Sequence, residues 1–308
     1  MHIAVVGIGG VGGYFGAKLA GRYTGGPKAK VTFLARGAHL EEIRKSGLQL
    51  ITPEGTYSIR PDLATDDPAY GGPFDLVFFC VKSYDLDPSA RLVKNHLSPG
   101  AVVISLLNGV DNAERLRALL PEMQVLNGCV YLSAHIVRPG VVRQNVSLAR
   151  LFFGLEGMET ERFRVIEKLL KDADIEAEYR KDIEKVVWEK YVFIAPLASA
   201  TAYLDKTFGQ ILEDESSSQL LEGLLREVEL VAREKRVPVS QDIHQTTLKK
   251  IASFPSDTKS SLQLDFEKGK QTEIDTFTGY IVRFGRRHGL DTPLHEMIYR
   301  ALSKTPSP

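Results

Sequence analysis

His2-Ile3-Ala4-Val5-Val6-Gly7-Ile8-Gly9-Gly10-Val11-Gly12-Gly13-Tyr14-Phe15-Gly16 joins five strand-forming residues to a glycine turn and then to a helix. Apolar residues without alternation mean burial on both faces, as in a parallel sheet covered by helices. The glycines divide the work of the turn. Gly7 lets it be tight, Gly9 lets backbone approach a pyrophosphate, and Gly12 lets the helix pack closely on the strand. The helix through Tyr14, Phe15, Ala17 and Leu19 then offers its first N–H groups and positive dipole end to phosphate. The stretch therefore predicts a dinucleotide held by Gly7, Ile8, Gly9, Gly10, Val11 and Gly12.

Working outward, further apolar runs at 30–34, 76–80, 102–106 and 125–131 alternate with helical stretches, which makes the first part doubly wound, a Rossmann-type α/β domain. A small hairpin is expected over 48–51 and 57–60 around Pro53-Glu54-Gly55. A second is expected over 133–137 and 141–145 around Arg138-Pro139-Gly140, followed by a strand at 151–154 and a helix at 159–171. From Asp182 strand signals stop, and amphipathic helices are expected over 182–203, 216–236, 240–253, 257–268 and 272–288. The expected domains are 1–180, binding the dinucleotide, and an all-helical 181–308, carrying substrate and catalysis.

Composition narrows the function classes. The 308 residues carry 39 basic and 39 acidic side chains, so no net field favours nucleic acid or an anionic membrane. No apolar run reaches membrane-spanning length, and a strand pattern beginning at His2 leaves no space for a signal peptide. Cys80 and Cys129 sit in apolar runs and read as small hydrophobes in a reducing compartment. The expectation is a cytoplasmic protein acting on a small molecule, with no metal, no nucleic acid and no membrane partner; a homodimer is the assembly left open.

Several polar residues stand where chemistry is expected. The acid that usually reads a ribose 2′-hydroxyl after the second strand is missing, and Arg36 there offers a planar cationic fork suited to a 2′-phosphate. NADP is therefore expected over NAD. Lys82 and Asn108 follow the strands ending near Cys80 and Leu106; Lys82 reads equally as a phosphate contact or a solvated cap, and Asn108-Gly109 reads as a turn. Lys190 lies on one helix face with Val187, Ile194 and Leu197, where an ammonium is either a desolvated proton donor or snorkels to water. Glu273 belongs to Thr272-Glu273-Ile274-Asp275, which resembles a capping box, and Ser261 reads as a small polar helix residue.

With these residues in view, the chain resembles the ketopantoate reductase family over nearly its whole length. The carriers are Gly7 to Gly16, Leu34-Ala35-Arg36-Gly37, Val81-Lys82-Ser83-Tyr84, Leu107-Asn108-Gly109-Val110, Trp188-Glu189-Lys190, Ser260-Ser261 and Thr272-Glu273-Ile274-Asp275. The resemblance implies a helical second domain like that of 6-phosphogluconate dehydrogenase and NADPH-dependent reduction of ketopantoate (2-dehydropantoate) to pantoate, in pantothenate and coenzyme A biosynthesis. By it, Lys190 is the general acid and Glu273 its partner, with Glu273 also near the cofactor. Ser261 binds the substrate carboxylate, Lys190 meets the substrate at its 2-oxo oxygen, Asn108 contacts nicotinamide ribose or substrate, and Arg36 with Lys82 holds the 2′-phosphate. One departure is Ile194, which stands four residues after the lysine where the family pattern has asparagine. Another branched 2-oxo acid, or a non-catalytic NADP-binding sensor, are the alternatives.

Overall fold

The computed structural model describes residues 1–303, and within them two compact units, Met1–Ile183 and Glu184–Pro308, the second described as far as residue 303. The first unit is built on one ten-stranded sheet. Its strands are β1 (His2–Val6), β2 (Lys30–Leu34), β3 (Leu48–Thr52), β4 (Gly55–Ile59), β5 (Leu63–Thr65), β6 (Phe74–Phe79), β7 (Leu97–Ser105), β8 (Gln124–Arg138), β9 (Val141–Gly154) and β10 (Glu176–Tyr179). The helices of this unit are α1 (Gly10–Tyr23), α2 (Gly37–Ser46), α3 (Leu86–Val93), α4 (Asn112–Leu119) and α5 (Glu161–Asp172).

Six strands, β5-β2-β1-β6-β7-β8, are neighbours in that order and all parallel, which is the 3-2-1-4-5-6 order of a dinucleotide-binding sheet once the β3–β4 hairpin is set aside. Strand β1 shows why the sequence takes this form. Ile3 and Val5 enter one apolar core with Phe15 and Leu19 of α1, whereas Ala4 and Val6 enter a second with Leu86, Ala90 and Leu116 of α3 and α4. Each fully buried aliphatic or aromatic side chain contributes about 1.5–3 kcal/mol, so both faces need cover and a one-sided sheet would leave one core in water.

Beyond β8 the sheet changes character. β9 runs antiparallel to β8, then pairs in parallel with β3 and β10, and β3 closes its hairpin with β4. The expected separate strands around 125–131, 133–137, 141–145 and 151–154 are two long continuous strands instead. Register shifts between Leu132 and Ala134 and between Ile136 and Arg138 absorb the bends that the sequence pattern suggested as breaks. The short strands β5 and β10 were not anticipated; both are held by a neighbour's ladder more than by their own apolar content.

The second unit is helical: α6 (Ile183–Leu204), α7 (Phe208–Glu213), α8 (Glu215–Glu234), α9 (Ile243–Ala252), α10 (Ser261–Glu267), α11 (Tyr280–His288) and α12 (Pro293–Leu302). Trp188, Tyr191, Leu221, Leu224, Phe277 and Ile281 are among its buried side chains. Helices α7 and α12 were not anticipated, and the expected helix over 272–288 is not uniform, because Asp275–Gly279 forms a π-helical turn ahead of α11. Among the described residues no helix is long and apolar enough to cross a membrane.

Candidate active site

In the first unit the predicted cofactor residues all fall at the carboxyl ends of the parallel strands. Backbone bonds carry the ladder one step past each strand: Gly7 N–H to Leu34 O at 2.8 Å, Cys80 N–H to Val6 O at 2.8 Å and Leu106 N–H to Phe79 O at 2.8 Å. The loops bearing Gly7–Gly9, Arg36, Lys82 and Asn108 are thereby set along one edge of the sheet. Strand β1 lies between β2 and β6, where the order reverses, which is where open α/β sheets bind ligands.

Within the glycine run the structure separates roles that the motif merges. Gly7 has φ +89°, and a Cβ there would meet Val81 Cγ1 at 2.7 Å. At Gly12 a Cβ would overlap the Gly7 carbonyl, and at Gly10 the Ala134 carbonyl of β8. These glycines are explained by close packing. Gly9 is not: its φ is −83°, open to any residue, and a Cβ would meet nothing within 4 Å. The space is open where a bound group would need the backbone bare. Gly9 is also the N-cap of α1, supplies no side-chain cap, and no acid stands in the first turn, so these N–H groups and the dipole fit a pyrophosphate.

Arg36, the N-cap of α2, has a side chain 80% exposed and meets Asp85 at 2.5 Å. An exposed ion pair is worth about 0–1 kcal/mol, so it steadies the guanidinium without preventing it from turning its fork to an incoming phosphate. Lys82 is half-buried in extended backbone just before the 3₁₀ turn that carries Asp85. Asn108 is half-buried, and its carbonyl accepts a bond from Asn112 Nδ2 at 2.9 Å, a loop anchor that the sequence reading missed. Gly109, at φ +110°, completes that turn. Cys80 is buried beneath the loop, and burial pushes its thiol well above the ordinary range, so it is a packing residue.

In the second unit α6 presents Trp188-Glu189-Lys190. Trp188 and Tyr191 are buried, 2% and 1% exposed, whereas Lys190 between them is half-buried and reaches partly to the surface. Glu189 accepts from Ser240 Oγ at 2.8 Å. One turn after Lys190, Ile194 is also half-buried, an aliphatic residue kept partly accessible on a helix that is otherwise closed over 195–201. Pro196 lies inside this helix and supplies no N–H to its ladder. Nearby hydroxyls bond locally, with Ser199 Oγ at 2.8 Å from Ala195 O and 2.7 Å from Thr278 Oγ1.

Tyr191 is a further residue that sequence reasoning did not identify. Its hydroxyl donates toward Thr276 O at 2.8 Å and Phe277 O at 3.0 Å, tying α6 beside Lys190 to the π-turn that follows Glu273. Glu273 is buried, 6% exposed, and its carbonyl accepts the N–H groups of Thr276 at 2.9 Å and Phe277 at 3.2 Å. The elements carrying Lys190 and Glu273 are thus joined across 85 residues of sequence. The expected capping box is not what orders this segment: Asp275 Oδ1 accepts from Tyr299 OH at 2.8 Å and pairs with Arg283. Ser260, not Ser261, caps α10, with its hydroxyl on Gln263 N at 3.1 Å and on Thr201 Oγ1 at 2.6 Å. Ser261 is exposed in the first turn, its hydroxyl not used by the cap.

Comparison with known proteins places both units. Residues 3–155 match the family model "Ketopantoate reductase PanE/ApbA", and residues 182–305 match its C-terminal counterpart. The chain is 31% identical over 303 residues to an uncharacterized oxidoreductase, YkpB, of Bacillus subtilis, covering 98% of each. It is 30% identical to a 2-dehydropantoate 2-reductase of Halobacterium salinarum, covering 96% of this chain and 95% of the relative. The crystal structure of 2-dehydropantoate 2-reductase from Porphyromonas gingivalis superimposes with a TM-score of 0.86 at 35% identity, covering 99% of each chain.

Proposed function

The chain belongs to the ketopantoate reductase family of oxidoreductases, and on that premise we propose that it is a cytoplasmic enzyme reducing ketopantoate to pantoate with NADPH, for pantothenate and coenzyme A synthesis. The observation that carries this reading is Lys190, an ammonium kept half-accessible between the buried Trp188 and Tyr191. A cation at a half-buried position loses part of its hydration, and a reacting oxygen that gathers negative charge can replace it.

NADPH, when bound, supplies the hydride that goes to the 2-oxo carbon. Lys190 Nζ donates a hydrogen bond to the 2-oxo oxygen, stabilises the negative charge that develops there, and gives up its proton to form the hydroxyl. Glu273 favours the charged ammonium until that moment, since a nearby carboxylate favours a cation. Ser261 donates to the substrate carboxylate, and Asn108 contacts substrate or nicotinamide ribose. The N–H groups of the Gly7–Gly12 loop hold the pyrophosphate, and Arg36 with Lys82 holds the 2′-phosphate.

A second reading, another branched 2-oxo acid, is favoured by Ile194. A half-accessible isoleucine one turn from Lys190 offers apolar contact and no hydrogen bond for a substrate hydroxyl. Oxidation of NADPH in the presence of ketopantoate and a panel of branched 2-oxo acids lacking its hydroxyl ranks the two. Lys190→Ala should lower kcat by roughly 10²–10⁴-fold, and unchanged turnover would sink the mechanism. NADPH binding without oxidation of any panel member would point to a sensor.

A further inference from the structure

We propose that Thr201 is a positioning residue for substrate binding: from inside α6 its hydroxyl oxygen accepts the proton of the Ser260 hydroxyl, and this bond fixes the turn from which Ser261 reaches the substrate carboxylate. The inference rests on the role proposed for Ser261. Thr201 is fully buried, 0% exposed, and its Oγ1 lies 2.6 Å from Ser260 Oγ, across 59 residues of sequence. Ser260 is half-buried, and Ser261 beside it is exposed. Counting protons gives the bond its direction, because each hydroxyl has one proton to donate and can also accept. Ser260 Oγ accepts Gln263 N–H at 3.1 Å, and Thr201 Oγ1 donates to the Ala198 carbonyl of its own helix at 3.2 Å. With the threonine proton so committed, the bond between the two hydroxyls runs from Ser260 to Thr201. The chain passes from the Gln263 N–H through two hydroxyls to a carbonyl, each member polarising the next.

An ordinary serine cap uses only its oxygen, which leaves the proton to water and the side chain free to change rotamer. Here the proton is bound as well, so Ser260 is held to α6 and to α10 at once. The other supports of this turn lie farther from Ser261. Gln263, 2% exposed, donates from Nε2 to Asp205 Oδ1 at 3.0 Å, just past the end of α6. Ahead of α10, the carbonyls of Ser256 and Thr258 accept Gly209 N–H at 2.9 Å and Phe208 N–H at 3.0 Å. A Cβ at Gly209 would meet Ser256 Cβ at 2.6 Å, so that segment lies directly on α7. Ser260 is the anchor adjacent to Ser261. Its cap bond to Gln263 does not use Thr201, so loss of the threonine hydroxyl loosens the turn without uncapping the helix.

The test follows NADPH oxidation by the full chain with ketopantoate or whichever 2-oxo acid of the panel turns over best. Thr201→Val keeps the branched shape of the buried side chain and removes the acceptor. It should raise KM for the acid on the order of tenfold, the scale of one hydrogen bond lost in binding. The kcat should stay within about twofold, because the carboxylate is not the reacting group. Thr201→Ser restores the acceptor and should return KM to within about twofold of wild type. Should Thr201→Val fail to fold, Ser260→Ala removes the same bond from a half-buried position and should raise KM at least as far, again with kcat kept. Ser261→Ala separates the two levels of the argument. An unchanged KM there would sink the carboxylate reading and the proposal with it. A raised KM in Ser261→Ala together with an unchanged KM in Thr201→Val, a kcat that falls as much as KM rises, or no rescue by Thr201→Ser would overturn the proposal alone.

Discussion

Replacing Gly9 by alanine should leave the protein folded and cripple its cofactor binding, whereas the same change at Gly12 should do the reverse. At Gly9 the added methyl meets no protein atom within 4 Å and the backbone, at φ −83°, suits alanine. Loss of glycine's unfolded-state freedom, worth about 0.4–1 kcal/mol, roughly offsets the cost of alanine at the N-cap, on the order of 1 kcal/mol, so Tm should move by no more than about 4 °C. The methyl would occupy the side from which a pyrophosphate approaches, and one lost charge-assisted bond of about 1.5–3 kcal/mol weakens NADPH roughly 10- to 150-fold. At Gly12 the methyl overlaps the Gly7 carbonyl and lies 2.8 Å from Cys80 Cβ, so α1 must shift away from β1. Overpacking of that kind costs about 1–3 kcal/mol and should lower Tm by roughly 2–12 °C. Thermal unfolding without ligand and fluorescence titration with NADPH separate the two effects. Wild-type NADPH affinity in Gly9→Ala would refute the assignment of that open space, and a Tm in Gly9→Ala as low as in Gly12→Ala would refute the packing argument.

Other residues give sharper local tests. Arg36→Ala should weaken NADPH roughly 10- to 150-fold while NADH changes little, because only the 2′-phosphate uses the fork; equal losses in a binding titration would show that Arg36 does not read it. Tyr191→Phe removes the buried donor to Thr276 O and Phe277 O and should cost about 1–3 kcal/mol in denaturant unfolding. It should also lower kcat more than it raises KM, and an unchanged kcat would reduce the tyrosine to a packing role. Glu167 tests acid behaviour. Burial pushes its carboxyl up, but Lys171, the Tyr179 N–H and Arg164 outweigh that and hold its pKa below the ordinary 4.5. A depressed carboxylate contributes stability above the unfolded pKa and loses it as pH falls through the folded one. Glu167→Gln should therefore melt lower than wild type at neutral pH, with the gap closing as pH falls below 4.5 and through the depressed folded-state pKa; a constant gap would contradict the ion-pair account.

What could be read from the chain divides along physical lines. Gly7 and Gly12 were legible because a tight turn and close helix–strand packing admit few residues, whereas Gly9 and Arg36 stand out in the sequence for the ligand chemistry proposed for them. The long helix α6 and the β3–β4 hairpin followed from periodicity and from Pro53-Glu54-Gly55. By contrast Leu63–Thr65 and Glu176–Tyr179 become strands only because β2 and β9 offer them a ladder. The continuity of β8 and β9 depends on bulges whose cost is met by cross-strand pairing, not by anything local. At the site, Tyr191 carried no signal: its partners are carbonyls 85 and 86 residues away, and any residue type could supply them. Gly10 was read with the cofactor loop, yet the Ala134 carbonyl of β8 already accounts for it.

The π-turn over Asp275–Gly279 bears on how this protein tolerates changes in length. A π-turn amounts to one residue more than an α-helix would use for the same span. Deleting a single residue there would let the segment relax into regular helix and rotate Glu273 by about 100° relative to α11. An insertion would rotate it the opposite way, and the Tyr191 hydroxyl would face different carbonyls in either case. Point substitutions at exposed positions in this stretch should be absorbed, whereas one-residue indels should disarm the enzyme while leaving it folded. On the role proposed for Glu273, its spacing from Tyr280 should therefore matter more to activity than the identity of the residues between them.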